Sequence, residues 1–342
     1  MRNELIRIMP KVLLHEHLDG GLRVGTLFAL LHERGLPCPA ADPQTLGRWF
    51  DERAHAGSLV EYLRGFDLTV AAMATPAALE RVAFEAAEDA LAEVCVLAEF
   101  RIAPLLFEAH GLSGEAALEA LLAGLQRSAL PSGLIVCAMR HLPLEQTLRA
   151  ARLALAYKES GVIGFDLAGA ERGHPPSEHA RALNLVRDGG LPLTLHAGEA
   201  DEAERVIEAL RLGAVRIGHG IRLADAIADR HRQALVDEVL ERGAHLEVCP
   251  TSNVHTGAAV SIAAHPITAL WRAGVSVGVN TDNRLMSRIT LSGECQALLD
   301  HTPLTAHDLL RMQLEAARHS FLAPAIKAAA IEQLSAYDAS AR

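Results

Sequence analysis

The run KVLLH (11–15), continuing into Glu16 and His17, decides the fold. It is short and apolar, and it stops at a cluster of polar side chains. The same design recurs in CVLAEFRIA (95–103), GLIVCAM (133–139), VIGFDLA (162–168), LPLTLH (191–196), VRIGH (215–219), HLEVC (245–249) and VSVGVN (275–280), giving eight candidate strands. Between them lie longer stretches such as LEQTLRAARLALAYKES and HRQALVDEVLERG, whose apolar residues return at three- and four-residue spacing, the period of an amphipathic helix. Strands alternating with helices predict a parallel sheet. Eight such units predict a closed (β/α)8 TIM barrel rather than an open doubly wound sheet.

Outward from this frame, the segment 36–93 is too long for one crossover and carries its own helical patterns, SLVEYLRGFDLTVAAM and PAALERVAFEAAEDALAE. It reads as helices inserted after the first strand, over the barrel mouth. The residues after 303 read as additional C-terminal helices. No internal repeat, low-complexity tract or linker divides the chain, so one domain over 1–342 is expected, and 342 residues suit a barrel whose usual size is about 250 before insertions. Half the residues are hydrophobic but only 4% are aromatic, so Leu, Val, Ile and Ala must fill the core.

The formal charge of −10 opposes a polyphosphate backbone, and no basic run overrides it, so nucleic acid is set aside as a partner. The five cysteines (38, 95, 137, 249 and 295) show no C-x-x-C spacing, as expected of reduced thiols in a cytoplasmic protein. The start, MRNELIRIMPKVLLHEH, lacks the apolar core and cleavage pattern of a signal peptide. No stretch approaches the roughly 20 apolar residues that span a bilayer.

Barrels of this kind place their chemistry at the C-terminal ends of the strands. Here those ends read His15-Glu16-His17, Asp166-Leu167-Ala168-Gly169, His196-Ala197-Gly198-Glu199, His219, Cys249-Pro250-Thr251-Ser252-Asn253 and Asn280-Thr281-Asp282-Asn283. Residues two apart on a strand share a face, so His15 and His17 can both look down the axis while Glu16 points away. With seventeen histidines in the chain, one alone would mean little. His-x-His joined by His196 and a strand-end Asp makes a metal site, suited to zinc, with iron or cobalt as other occupants of the same ligands. The only lysines, Lys11, Lys158 and Lys327, lie away from strand C-termini, which argues for one metal rather than a lysine-bridged pair.

The blocks PKVLLHEHLDGG (10–21), EFRIAP (99–104), MRH (139–141), DLAG (166–169), HAGE (196–199), RIGHG (216–220), CPTSN (249–253) and VNTDN (279–283) make the chain resemble the adenosine deaminase family across nearly its whole length. The resemblance implies that His15, His17, His196 and Asp282 bind Zn2+. It implies that Glu199 protonates N1 of a 6-aminopurine, and that His219 sits beside a metal-activated water. Glu199, His219 and Asp282 would carry the chemistry. His17, Asp19, Gly169 and Asn283 would meet the substrate, Gly169 through its N–H to N3 and Asp19 through the ribose 5'-hydroxyl. The implied reaction is hydrolytic deamination of adenosine, and of 2'-deoxyadenosine, to inosine and ammonia.

One position departs from the family's familiar pattern. Asn283 stands where a second Asp usually contacts N7, and an amide can donate there without first being protonated. This leaves aminodeoxyfutalosine, a 5'-modified adenosine or adenine as alternative substrates, although adenine-specific relatives tend to carry Glu in place of Asp19. The H-x-E/P-C-x-x-C pattern of deaminases that act on nucleic acid is matched only in its first half, at His245-Leu246-Glu247. Arg101 and Arg140 are expected to hold the barrel together. Asp166 could fix loops or touch substrate. Ser252 and Asn253 are expected to shape a loop, and Leu63 with Phe66 to form either core or an apolar lid.

Overall fold

The computed structural model describes residues 2–54 and 59–340, with side chains described over 5–54 and 65–339. Eight strands form one sheet in chain order: β1 (Lys11–His17), β2 (Cys95–Ile102), β3 (Ser132–Met139), β4 (Val162–Ala168), β5 (Leu193–Ala197), β6 (Ala214–His219), β7 (His245–Val248) and β8 (Ser276–Val279). Each neighbouring pair is parallel, and helices fill the crossovers, so the fold is the (β/α)8 barrel expected from the strand pattern.

Two seams of this barrel are closed by side chains. β8 is too short to pair along β1. Instead, Oδ1 of Asn280 accepts the N–H groups of Leu14 (2.8 Å) and His15 (3.1 Å), and Oε1 of Gln313 accepts that of Val12 (2.7 Å). Beyond Asn280 a single bridge, Glu16 to Asp282, completes the closure, with His17 N–H on Asp282 O (2.8 Å) and Asp282 N–H on His15 O (2.9 Å). Buried amides must be satisfied, and this solution ties Asp282 directly to the His15–His17 segment. Between β4 and β5 the ladder shrinks to one register pair, Phe165 with Leu193. There Arg140 Nη2 donates to Leu167 O at 2.7 Å and to His196 O, and Asp166 Oδ1 accepts His196 N–H at 3.2 Å.

The inserted helices run from Leu18–Gly21 through Val24–Glu33, Pro43–Ala54 and Leu59–Met73 to Pro76–Ala92, the last opened by Thr75, whose side chain caps Ala78 N–H at 3.2 Å. Pro43–Ala54 packs on the short helix Arg284–Ser287 after β8, and Leu59–Met73 on Leu18–Gly21, so the insertion bears on the rim where the strands end. Phe66 is half-buried against the core, whereas the Leu63 side chain lies outside the described residues. At the C-terminus, helix Ala306–His319 starts with a Thr305–Asp308 capping box, packs along β8 and β1, and supplies Gln313. Pro324–Ser340 follows it.

The core is aliphatic between sheet and helices, and ionic inside the barrel below the rim. Arg101 and Arg216, both fully buried, converge on Glu247 at 2.6 Å each, and Arg101 also reaches Asp166 at 2.8 Å. Arg101 thus holds the barrel together, as expected of it. Buried ion pairs add little net stability but hold geometry, and this one stands directly beneath the histidines.

Candidate active site

A parallel barrel brings every strand's C-terminal end to one rim. Strand alternation aims His15 and His17 inward there. His15 Nδ1 donates to Glu247 Oε2 at 2.8 Å, and His196 Nδ1 to Asp166 Oδ1 at 3.0 Å, so in both rings Nε2 faces the centre of the rim. His15 Nε2 is buried with no hydrogen-bond partner among the described residues. It lies 3.4 Å from Asp282 Oδ1, while His17 Nε2 lies 3.5 Å from the same oxygen and 3.3 Å from His196 Nε2.

These four residues offer donor atoms all within 4.8 Å of one another and could hold a metal ion. The fit can be tested on the spacing. Metal–nitrogen bonds of about 2.0–2.1 Å at tetrahedral angles set neighbouring donors about 3.3–3.4 Å apart. Three of the six donor pairs, at 3.3–3.5 Å, match this spacing and all six lie within 4.8 Å, and a metal there would give the bare His15 Nε2 its partner. Ser252 Oγ donates to Asp282 Oδ2 at 2.6 Å, leaving Oδ1 for the cluster. Burial pushes the Asp282 carboxyl up, but His15, His219 and His17 outweigh it and hold it well below the usual carboxylate range.

Asp282 and His219 both have positive φ, +60° and +62°, at the ends of β8 and β6. Such backbone is uncommon outside glycine, though Asp and His tolerate it better than most. It turns both side chains back over the rim. The His219 ring centre lies 5.0 Å from that of His15 and 5.2 Å from that of His196. Burial keeps His219 below its ordinary pKa.

Glu199 follows β5 on a tight turn at Gly198, whose φ is +68°. Its Oε1 accepts from Thr256 Oγ1 (2.9 Å) and Asn253 Nδ2 (3.1 Å), and its Oε2 lies 3.6 Å from His219 Nε2. The backbone beneath is held by Glu171. Its carboxylate accepts four successive N–H groups: Gly198, Glu199 (3.1 Å), Ala200 (2.7 Å) and Asp201 (3.1 Å).

Buried polar atoms without partners mark the edge of the same site. Asp19 Oδ1 and Asn283 Oδ1 have none among the described residues. Burial pushes the Asp19 carboxyl up to about 7. A Cβ at Gly20 would lie 2.0 Å from Asn283 Oδ1, so the Asn283 side chain rests on bare backbone. Gly169, with φ +92°, sits just past β4, where a Cβ would come 2.7 Å from His141 Nδ1. Asp166, left open between loop-fixing and substrate contact, is fully buried and spends both oxygens on Arg101 and His196.

The structure thus brings His15, His17, His196 and Asp282 together, sets Glu199 and His219 beside one another, and places Asp19, Gly169 and Asn283 at strand ends. Sequence reasoning missed Glu171, Thr256, Glu247 and His265. The only hint for Glu171 was a carboxylate two residues past Gly169. A metal ligand set with an adjacent carboxyl and imidazole can perform hydrolysis that needs a proton delivered to the substrate.

Comparison with known proteins agrees with this chemistry. The adenosine deaminase family model matches residues 10–337. The adenosine deaminase of Mycobacterium bovis (strain BCG / Pasteur 1173P2) is 42% identical over 335 residues, covering 93% of this chain and 91% of its own. Among solved structures, the adenine deaminase of Arthrobacter aurescens superposes with a TM-score of 0.87 at 25% identity, covering 97% of this chain and 99% of its own. The N6-mAMP deaminase of Arabidopsis superposes with 0.83 at 25% identity, covering 98% and 99%.

Proposed function

The chain belongs to the adenosine deaminase family, and we propose that it hydrolyses adenosine, with 2'-deoxyadenosine, to inosine and ammonia. The observation that carries this reading is the Glu199 carboxyl, 3.6 Å from His219 and beside the four-donor cluster, at the rim that also bears the unpartnered Oδ1 of Asp19. His15, His17, His196 and Asp282 are assigned to one Zn2+. Three imidazoles and a carboxylate suit this ion, although iron or cobalt would accept the same ligands. When bound, the metal supplies a Lewis acid that makes a water acidic enough to act as a nucleophile near neutral pH.

The protein's own groups do the rest. Glu199 delivers its proton to N1 of the purine, drawing electrons from C6. His219 faces the oxygen that adds to C6. The C6–N bond then breaks: the amine leaves as ammonia with one of the two protons of the water, the other restores the Glu199 carboxyl, and the purine keeps the oxygen. Gly169 offers its N–H to N3 where a side chain would obstruct the ring, Asn283 donates to N7, and His17 and Asp19 meet the ribose end. A hydroxyl at Asp19 would supply the partner that its buried Oδ1 lacks.

A single metal is supported by Lys11, which lies at the opposite end of β1 from His17 and spends its Nζ on Met9 O (2.8 Å) and Glu93 O (3.0 Å). Among the described residues no helix is long and apolar enough to cross a membrane. Five free thiols, four of them buried, support a cytoplasmic enzyme, and the formal charge of −10 supports a small nucleoside rather than nucleic acid as its substrate.

A second reading, deamination of another 6-aminopurine, is favoured by Asn283 alone. Ammonia release from adenosine, 2'-deoxyadenosine, adenine, methylthioadenosine and aminodeoxyfutalosine separates the two. Adenosine should be turned over best, and Glu199→Gln should keep metal and fold while losing several orders of magnitude in kcat. Failure of adenosine beside turnover of another member of that panel would replace the leading reading with the second.

A further inference from the structure

Asn253, buried in the helix Pro250–His255, faces three groups through one amide. Nδ2 lies 3.0 Å from His219 Nδ1 and 3.1 Å from Glu199 Oε1, and Oδ1 lies 3.3 Å from His265 Nε2. Which edge of an amide is oxygen follows from what its neighbours can donate. His265 Nδ1 accepts the N–H of Ile267 at 3.1 Å, so that nitrogen is bare and the ring proton is on Nε2. Burial pushes His265 down to about 4, which keeps the ring neutral at pH 7. A ring nitrogen that can only donate requires the amide oxygen opposite it. The NH2 edge is thereby turned to Glu199 and His219. His219 Nδ1 receives an N–H, so it too is bare, and the single proton of the neutral ring is on Nε2, the nitrogen 3.6 Å from Glu199 Oε2.

We infer that Asn253, locked by His265, is a positioning residue that fixes His219 as its Nε2–H tautomer. His219 therefore presents a hydrogen-bond donor, not a proton acceptor, to the oxygen that attacks the purine. Its contribution is to hold and stabilise that oxygen, and the two protons of the attacking water end on the departing amine and on the Glu199 carboxylate that has given its own to N1, not on His219. Asn253, expected from sequence to shape a loop, and His265, which the sequence did not single out, form a chain of oriented hydrogen bonds running from the Ile267 amide to the reaction centre. The assignment rests on the deaminase reading only for what the donated bond is used for, because the tautomer is set by residues of this chain without substrate.

The test is long-range 1H–15N NMR of the metal-loaded enzyme with 15N-labelled histidine, the His219 signals being identified by their loss in His219→Gln. A bare Nδ1 and a protonated Nε2 are expected. Asn253→Asp offers acceptors on both edges, so the proton should move to Nδ1. kcat should then fall about 100-fold, the lower end of what one hydrogen-bond donor to a developing oxyanion contributes, with KM changed less than about threefold and metal content unchanged. His265→Leu should lose part of kcat, and His265→Gln, which restores a donor, should recover most of it. A proton on Nδ1 in the unaltered enzyme, or a full kcat in Asn253→Asp, overturns the assignment. Should Asn253→Asp fail to fold, the NMR of the unaltered protein still decides. Should adenosine not be the substrate, the tautomer signal is unaffected, and kcat is read on whichever 6-aminopurine is turned over.

Discussion

Glu171 Oε2 accepts the backbone N–H of Glu199 at 3.1 Å, across 28 residues of sequence, and takes the next two amides with the same oxygen. A carboxylate suits this nest because it has acceptor sites on both oxygens and no proton to collide with the converging N–H groups. In Glu171→Gln an NH2 faces amides that also donate. The loop should shift, and Glu199 with it. The expected result is a 10- to 100-fold fall in kcat with metal content unchanged, because no ligand touches Glu171, and a loss of about 1.5–3 kcal/mol, typical of hydrogen bonds to a charged group. Parallel kcat and metal analyses check this, and a variant with unaltered kcat would remove Glu171 from the positioning of Glu199.

Asp166 offers a second test, directed at the metal rather than at turnover. It fixes the His196 ring through Nδ1 at 3.0 Å and is itself held by Arg101 at 2.8 Å. Partners behind metal-binding histidines typically contribute about 10- to 100-fold to affinity. Asp166→Asn should therefore weaken metal binding by at least about tenfold in chelator competition, while kcat at saturating metal stays within a few-fold of the unaltered enzyme. Unchanged affinity would show that the ligand set is rigid without Asp166.

The strands and the grouping of His15, His17, His196 and Asp282 were legible in the sequence for one physical reason: both depend on short-range pattern. Apolar runs bounded by polar residues located all eight strands, with ends displaced by two residues or fewer, as in HLEVC (245–249) against His245–Val248. Alternation then aimed His15 and His17. What escaped are groups whose partners are distant backbone or other polar side chains. Glu171 answers amides 27 to 30 residues away, Asn280 satisfies β1 amides more than 260 residues away, and Asn253 links His219 to His265. None of these leaves a periodic trace, because a carboxylate or amide reads the same whether it faces water or a buried N–H.

Gly20 is predicted to govern purine recognition by leaving space. Its φ lies outside the left-handed region, so alanine is acceptable to the backbone there, but a Cβ would come 2.0, 2.7 and 2.9 Å from Oδ1, Cγ and Cβ of Asn283. Asn283 cannot retreat freely, since its N–H is on Thr281 O (2.8 Å) and its carbonyl accepts Ser287 N–H (2.9 Å). Gly20→Ala should keep the fold at a cost of about 1–3 kcal/mol of overpacking and should swing the amide away from N7. The unaltered enzyme should prefer adenosine to 7-deazaadenosine in kcat/KM, and the variant should lose most of that preference by losing on adenosine. A preference that survives would place N7 recognition elsewhere.

Glu294 carries a pH dependence of stability whose sign is fixed by its burial. It is fully buried in the helix Leu291–His301, and its two oxygens accept the Thr251 N–H at 3.1 and 3.3 Å. Burial pushes its carboxyl up to about 8 from an ordinary 4.5, against the pull of that N–H. The unfolded chain releases this proton near pH 4.5, whereas the folded protein keeps it until about pH 8. The raised folded pKa therefore contributes stability that is complete below 4.5 and is lost progressively as pH rises to 8. At about 1.4 kcal/mol per pKa unit the swing is a few kcal/mol. Glu294→Gln keeps an acceptor for Thr251 and cannot ionise. Its Tm should match that of the unaltered protein near about pH 5 and exceed it by several degrees at about pH 8.5. Other titrating groups cancel in this difference, and paired melts with and without metal keep metal loss at low pH from imitating it. A Tm difference that stays flat from about pH 5 to 8.5 would mean that Glu294 is already ionised throughout, and that the Thr251 amide outweighs its burial.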